Sequence, residues 1–163
     1  MEEAYIYSGF LIVYFFVMLV LWIVMYVSTW FIFQKAGEKG WKSIIPVYNN
    51  YIFVKISGKP LYYFWIMWLP LIFMCVFYAN MIVQQLGDPF LNVGFRMVIA
   101  IALVITGIIS IVYNVRVVIA LCDRFGISRW FTLAMFTVPI IALPVLAFGD
   151  YKYSPMYVED ING

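Results

Sequence analysis

Four long apolar runs constrain the fold of this 163-residue chain more than any other feature. The first extends from about residue 6 to residue 33 and contains no charged side chain. About 20 apolar residues in a helix cross the hydrocarbon core of a bilayer, which is about 30 Å thick. Further runs cover about 61–83, 93–121 and 130–148. We therefore expect an all-α polytopic membrane protein with about four transmembrane helices in one domain, 1–163.

Composition excludes several classes of function. Hydrophobic residues make up 66% of the chain and charged residues 11%, whereas soluble domains are about half apolar and about a quarter charged. The net charge of +2 comes without an Arg/Lys-rich face, which argues against a nucleic-acid partner. Histidine is absent, so histidine-dependent triads and histidine metal sites are excluded. Cys75 and Cys122 lie far apart in apolar runs, so we expect no metal and no cofactor.

The segment between the first two runs, 34–60, cannot itself span a bilayer. It combines glycines with Pro46, and its rings Trp41 and Tyr48 suit the depth of lipid headgroups. We expect an interfacial helix or a shallow re-entrant element here, with Gly37 capping the first helix.

The distribution of basic residues predicts an orientation. The 34–60 segment carries one acidic residue, Glu38, against five lysines, which are Lys35, Lys39, Lys42, Lys55 and Lys59. The third connection adds Arg116, Arg124 and Arg129. Because cytoplasmic loops are enriched in Lys and Arg, both connections are predicted to be cytoplasmic. A fourth span over 130–148, bent by its prolines, would then place both termini and Asp150 outside.

The sequence resembles an uncharacterised family of small bacterial membrane proteins. Their pattern is a first span, K-A-G-x-x-G-W-x-x-x-I-P-x-Y-N, G-[KR]-P, a short F-G connection, a proline-containing last span and F-G-D-x-x-Y. The first motif is specific, whereas the F-G and F-G-D pieces alone are weak. The matching residues touch most of the chain in this order and are Lys35, Ala36, Gly37, Gly40, Trp41, Ile45, Pro46, Tyr48, Asn49, Gly58, Lys59, Pro60, Phe125, Gly126, Phe148, Gly149, Asp150 and Tyr153.

The resemblance implies a multi-pass protein of the bacterial inner membrane but no reaction. Members sometimes occur attached to type I signal peptidases, which implies a link to protein export. This chain has no room for that peptidase domain, so we do not expect it to be the protease. Two features depart from the family. The hydrophobic region between Pro60 and Arg116 is longer, and Asp123 stands where the family usually has a basic residue beside the F-G.

Two interpretations of the first loop stay open. In one, its lysines contact anionic lipids and set the topology, while the rings anchor it. In the other, it is a docking surface for a membrane partner or a re-entrant element that lines a cavity, which would explain the density of special residues. The expected partner is a membrane protein or a second copy of the chain. The candidate residues for contacts with a partner or with lipid are Lys35, Gly37, Gly40, Trp41, Lys42, Pro46, Tyr48 and Asn49.

Polar residues within the spans are a second set of candidates, because each is costly in lipid. They are Asn80, Asn114 and Arg116, which could line a transport path or bridge helices. Turn roles are predicted for the F-G and F-G-D positions Phe125, Gly126, Gly149 and Asp150.

Enzymatic chemistry has little support. Ser43 with Lys39 or Lys42 offers only a superficial Ser-Lys dyad, since lysine at interface depth is normally protonated. We therefore expect a non-catalytic accessory or scaffold protein of the bacterial inner membrane, linked to export. The alternative is a small transporter or channel subunit.

Overall fold

The computed structural model describes residues 2–85 and 93–155, and these parts form helices without any β-strand. The helices are α1 (Glu2–Lys35), a 3₁₀ helix (Gly40–Ser43), α2 (Pro46–Ile56), α3 (Tyr62–Gln85), α4 (Val93–Arg124), α5 (Trp130–Thr137) and α6 (Pro139–Phe148). Three of them contain segments long and apolar enough to cross a membrane, namely Gly9–Lys35, Tyr62–Val83 and Gly94–Arg124. The all-α polytopic membrane fold is confirmed, and the 34–60 segment is itself mostly helical.

Glycine ends α1 as the sequence predicted. Gly37 has a φ of 78°, a left-handed conformation that other residues rarely adopt. Its N–H donates to the Gln34 carbonyl at 3.0 Å, and the Glu38 N–H donates to the Phe33 carbonyl at 2.8 Å. These two bonds define a Schellman motif, which satisfies carbonyls that the helix end would leave open. The same pair of bonds ends α4 at Gly126, so the predicted turn at the F-G position is confirmed.

The chain divides into two compact units, residues 1–52 with 122–163 and residues 53–121. In the first unit, α1 packs against α6 and the 3₁₀ helix, and α5 packs against α6. In the second unit, α3 and α4 run antiparallel. The rings of Tyr63 and Tyr113 are 4.6 Å apart, and the Ser110 hydroxyl donates to the Met67 carbonyl at 3.1 Å.

The structure differs from the expected single span over 130–148. The helix is interrupted at Val138, which has φ −136° and ψ 60°. The cause is Pro139, which has no N–H and disfavours helical geometry in the residue before it. The products, α5 and α6, have 8 and 10 residues. At 1.5 Å per residue they are about 12 and 15 Å long, and neither crosses a bilayer alone.

The sequence predicts Asp150 on the membrane side opposite the basic loops, whereas in the structure the residue before it, Gly149, contacts the end of α1. The Lys35 ammonium donates to the carbonyls of Leu146 at 3.0 Å and Gly149 at 2.6 Å. Five residues after Gly149, the Ser154 N–H donates to the Arg124 carbonyl at 2.9 Å. After α6 the chain therefore returns to the ends of α1 and α4. The end of α4 is also where the chain leaves to form α5.

Candidate functional site

The first candidate site is the 35–50 loop, which begins with an internal contact of Lys35. Its half-buried ammonium binds two carbonyls at the end of α6, where the helix dipole and the open carbonyls favour a cation. Phe31, one turn earlier on α1, packs on Phe148 with ring centroids 5.2 Å apart. Lys35 therefore holds α6 against α1, a role that the sequence did not indicate.

Gly40 is buried directly against the indole of Trp30. A Cβ at this position would lie 2.5 Å from both Cδ1 and Cε2 of that ring, which is closer than real Cβ contacts. The two glycines of the loop are therefore required for different reasons. Gly37 is needed for its backbone conformation and Gly40 for the space it leaves.

The side chains around this buried glycine form an outward apolar surface. Trp41, Ile44, Ile45 and Val47 are each 46–58% exposed, and we call these four residues the docking face. Ser43, between them in sequence, is fully buried. The sequence pointed to Trp41, but it did not single out Ile44, Ile45 or Val47. Their exposure depends on which side of the 3₁₀ helix contacts α1.

The remaining loop candidates make contacts within the loop. Lys42 forms an ion pair with Glu38, and its ammonium is 5.6 Å above the centroid of the Tyr48 ring. Tyr48 stacks on Trp41 at 6.2 Å and on Tyr51 at 5.5 Å. These contacts fix the orientation of Trp41. Pro46 begins α2, as suits a residue without an N–H, and Asn49 is half-buried on the same helix.

The intramembrane polar residues do not form one site. Asn114 donates to the Ser110 carbonyl at 2.9 Å, whereas Asn80 is 5% exposed and its Oδ1 has no hydrogen-bond partner among the described residues. Met67 on α3 lies level with Ser110 on α4. Because the two helices are antiparallel, Asn80 lies towards one end of the helix pair from this level and Asn114 towards the other end. Their separation along the helices is roughly 25 Å. The two amides therefore do not line one transport path in the described part of the chain.

The F-G and F-G-D segments, far apart in sequence, meet through Tyr153. Its ring is 5.4 Å from that of Phe125, and its hydroxyl accepts a hydrogen bond from Arg124 Nη1 at 3.1 Å. Together with the Ser154 bond to the Arg124 carbonyl, these contacts hold the chain after Gly149 and Asp150 beside the end of α4. These positions therefore have structural contacts rather than an evident binding role.

In the part of the chain that is described, no three His, Cys, Asp or Glu side chains lie together as metal ligands would. The superficial Ser-Lys dyad is not assembled either, because the Ser43 hydroxyl has no hydrogen-bond partner among the described residues and Lys42 is held by Glu38.

Comparison with protein-family models, curated proteins and solved structures gives no match for this chain. The family resemblance of the loop motifs accordingly stays a prediction, and function is argued from the geometry.

Proposed function

We propose that this protein is a non-catalytic accessory or scaffold protein of the bacterial cytoplasmic membrane, which docks a membrane-protein partner through the docking face. The observation that carries the proposal is that the exposed apolar side chains of the docking face lie on a segment that is itself packed against α1. Trp41 is held by Tyr48, and the segment is fixed on α1 through Gly40 and Trp30. Aromatic anchors whose conformation is already fixed contribute most to protein interfaces, because little entropy is lost on binding.

Charge specifies the chemistry of the partner. Residues 35–52, which belong to the same compact unit as the docking face, contain three lysines and one acidic residue, Glu38. Glu38 is paired with Lys42, and Lys39 is exposed beside the docking face. A complementary surface is apolar at its centre with carboxylates at its rim. The resemblance to proteins that occur with type I signal peptidases supports a partner in protein export.

The topology that fits this function has three spans, α1, α3 and α4, and a re-entrant pair, α5 and α6. The hydrogen bonds of Lys35 to Gly149 and of Ser154 to Arg124 support it, since they bring the chain back to the end of α4 from which it left. Lys152 then joins the basic, cytoplasmic side, which increases the positive-inside bias. The N-terminus lies outside, and the segment after α6 lies inside.

Thiol labelling tests this topology. Lys39→Cys, Ser154→Cys and Tyr7→Cys are each made in a Cys75→Ala, Cys122→Ala background, at positions that are exposed. A membrane-impermeant maleimide is applied to right-side-out and inverted vesicles. We expect positions 39 and 154 to react in the same vesicle orientation and position 7 in the other. Reaction of 39 and 154 from opposite sides would restore the four-span topology.

Photocrosslinking in cells tests docking. A photoreactive amino acid replaces Ile44, and we expect one membrane protein to be crosslinked through a peptide rich in acidic residues. The crosslink should be lost with Trp41→Ala and kept with Trp22→Ala, which removes an even more exposed tryptophan from the middle of α1. Expression of each variant is compared by immunoblot.

Two results would contradict the docking function. One is adducts at position 44 with lipid alone. The other is equal loss of the crosslink with both tryptophan variants. If, in addition, liposomes that contain the purified protein moved a solute, the transporter alternative would replace the scaffold.

A further inference from the structure

Three tyrosines and an arginine lie together in the second unit. The buried Tyr63 has its ring 4.6 Å from that of Tyr113 and 5.0 Å from that of Tyr62. Tyr62 is half exposed, and its ring is 6.4 Å from that of Tyr113. The Arg116 guanidinium lies 5.9 Å from the centroid of the Tyr113 ring. We call these four residues the tyrosine–arginine cluster.

The antiparallel register of α3 and α4 gives the depth of this cluster. Tyr63 on α3 faces Tyr113 on α4. Because the two helices are antiparallel, Arg116, three residues after Tyr113, is level with Pro60, three residues before Tyr63. That level lies just before the apolar segment Tyr62–Val83 begins. Arg116 is therefore level with the polar end of a span, at the depth of the lipid headgroups, although α4 itself continues to Arg124. Lys59 precedes this point directly in sequence.

The Tyr113 ring orients Arg116 without neutralising it. A guanidinium over an aromatic face is held by cation–π attraction and keeps its N–H donors available at the edge. Arg116 is exposed, and it forms no ion pair with any described carboxylate. The exposed ring of Tyr62 adds a phenolic hydroxyl at the same end of the helix pair.

We propose that the tyrosine–arginine cluster binds the phosphate of an anionic phospholipid headgroup. Arg116 supplies the planar pair of donors that fits phosphate oxygens, Lys59 adds a second positive charge, and Tyr62 supplies a hydroxyl donor. A lipid is favoured over a soluble phosphate because two exposed apolar side chains, Leu61 just before α3 and Trp65 on its first turn, are neighbours of Tyr62 where acyl chains would lie. The inference depends on the membrane location and not on the docking of a partner.

Lipid binding to the purified full-length chain tests the site. Native mass spectrometry from detergent measures the affinities for phosphatidylglycerol and phosphatidylcholine, which share the phosphate but differ in net charge. We expect about fivefold tighter binding of phosphatidylglycerol, since one basic group near an anionic surface contributes about 1 kcal/mol. Arg116→Ala should abolish this preference, and Arg116→Lys should keep part of it because it retains the charge without the planar donors.

Arg129→Ala is the matched control, since it removes the same charge from a side chain that is 78% exposed in the connection before α5. We expect it to keep the preference. Equal loss in both variants would mean that overall charge, and not the cluster, selects the lipid, and would overturn the proposal. So would equal binding of the two lipids by the unmodified chain. Displacement of phosphatidylglycerol by millimolar glycerol phosphate would show that the ligand is a soluble phosphate. Far-UV circular dichroism confirms that each variant is folded.

Discussion

The two ends of α1 are similarly apolar, yet their surroundings differ. From Tyr7 to Ile23 almost every large side chain is exposed, with Phe15 at 66%, and no other described helix covers them. From Ser28 to Phe33 most residues are buried, with Phe33 at 0%. The last third of α1 is thus the part that supports α6 and the 35–50 loop, whereas the described side chains from Tyr7 to Ile23 are mostly exposed.

The packed end of α1 contains two adjacent small polar residues. Ser28 and Thr29 interrupt the apolar run, and both are buried. Their hydroxyls donate to the carbonyls of Val24 at 2.7 Å and Met25 at 2.9 Å. Polar groups that are satisfied within their own helix cost little in lipid, and small side chains permit close packing.

The largest effect is expected for Phe33→Ala. The substitution leaves a cavity in the packed end of α1, and Phe→Ala changes of this kind cost about 3 kcal/mol or more. The free energy of unfolding is measured by titration with SDS in mixed micelles, followed by far-UV circular dichroism. A loss under 1 kcal/mol would mean that the packed end is not a core.

Gly40→Ala should cost about 2 kcal/mol, since the added methyl group overlaps the Trp30 ring. Gly9→Ala is the control in the exposed part of α1. A Cβ there meets nothing within 4 Å, and alanine favours a helix by about 0.5–1 kcal/mol. The same SDS titration should therefore give changes of opposite sign. In a Trp30→Ala background the cost of Gly40→Ala should fall, and an unchanged cost would contradict the contact.

Lys35→Met keeps the length of the side chain and removes its charge. Two charge-assisted hydrogen bonds to the end of α6 are lost, and we expect about 1.5–3 kcal/mol of destabilisation. The release of α6 should also make the chain near Tyr153 more accessible to protease. Lys39→Met, at an exposed position of the same loop, is the control and should change neither measurement. Equal sensitivity of the two variants would show that Lys35 does not hold α6.

Local signals in the sequence are sufficient to predict the positions of the long helices and of their ends. The apolar runs located α1, α3 and α4 within a few residues, because each helix needs only its own backbone hydrogen bonds in lipid. Gly37 was identified as the cap since a left-handed residue after a helix is usually glycine.

The return of the chain after α6 could not be read from the sequence. Pro139 indicates a bend, but the direction depends on contacts such as Lys35 with Gly149, 114 residues apart. The basic residues do not distinguish the two topologies, because both the four-span and the re-entrant arrangement agree with their distribution. The role of Gly40 is hidden for a similar reason, as it depends on the position of the Trp30 ring.

Phe15→Ala should have the smallest effect, and it tests the exposed end of α1. If lipid alone surrounds Phe15, the substitution replaces a large side chain in contact with lipid by a small side chain in contact with lipid. The free energy of unfolding should then change by less than about 0.5 kcal/mol. Compared with Phe33→Ala, it is the same chemical change at 66% and 0% exposure. A cost near that of Phe33→Ala would mean that another helix covers Phe15 in the folded protein. Crosslinking between copies carrying Leu11→Cys would then determine whether that helix belongs to a second copy of the chain.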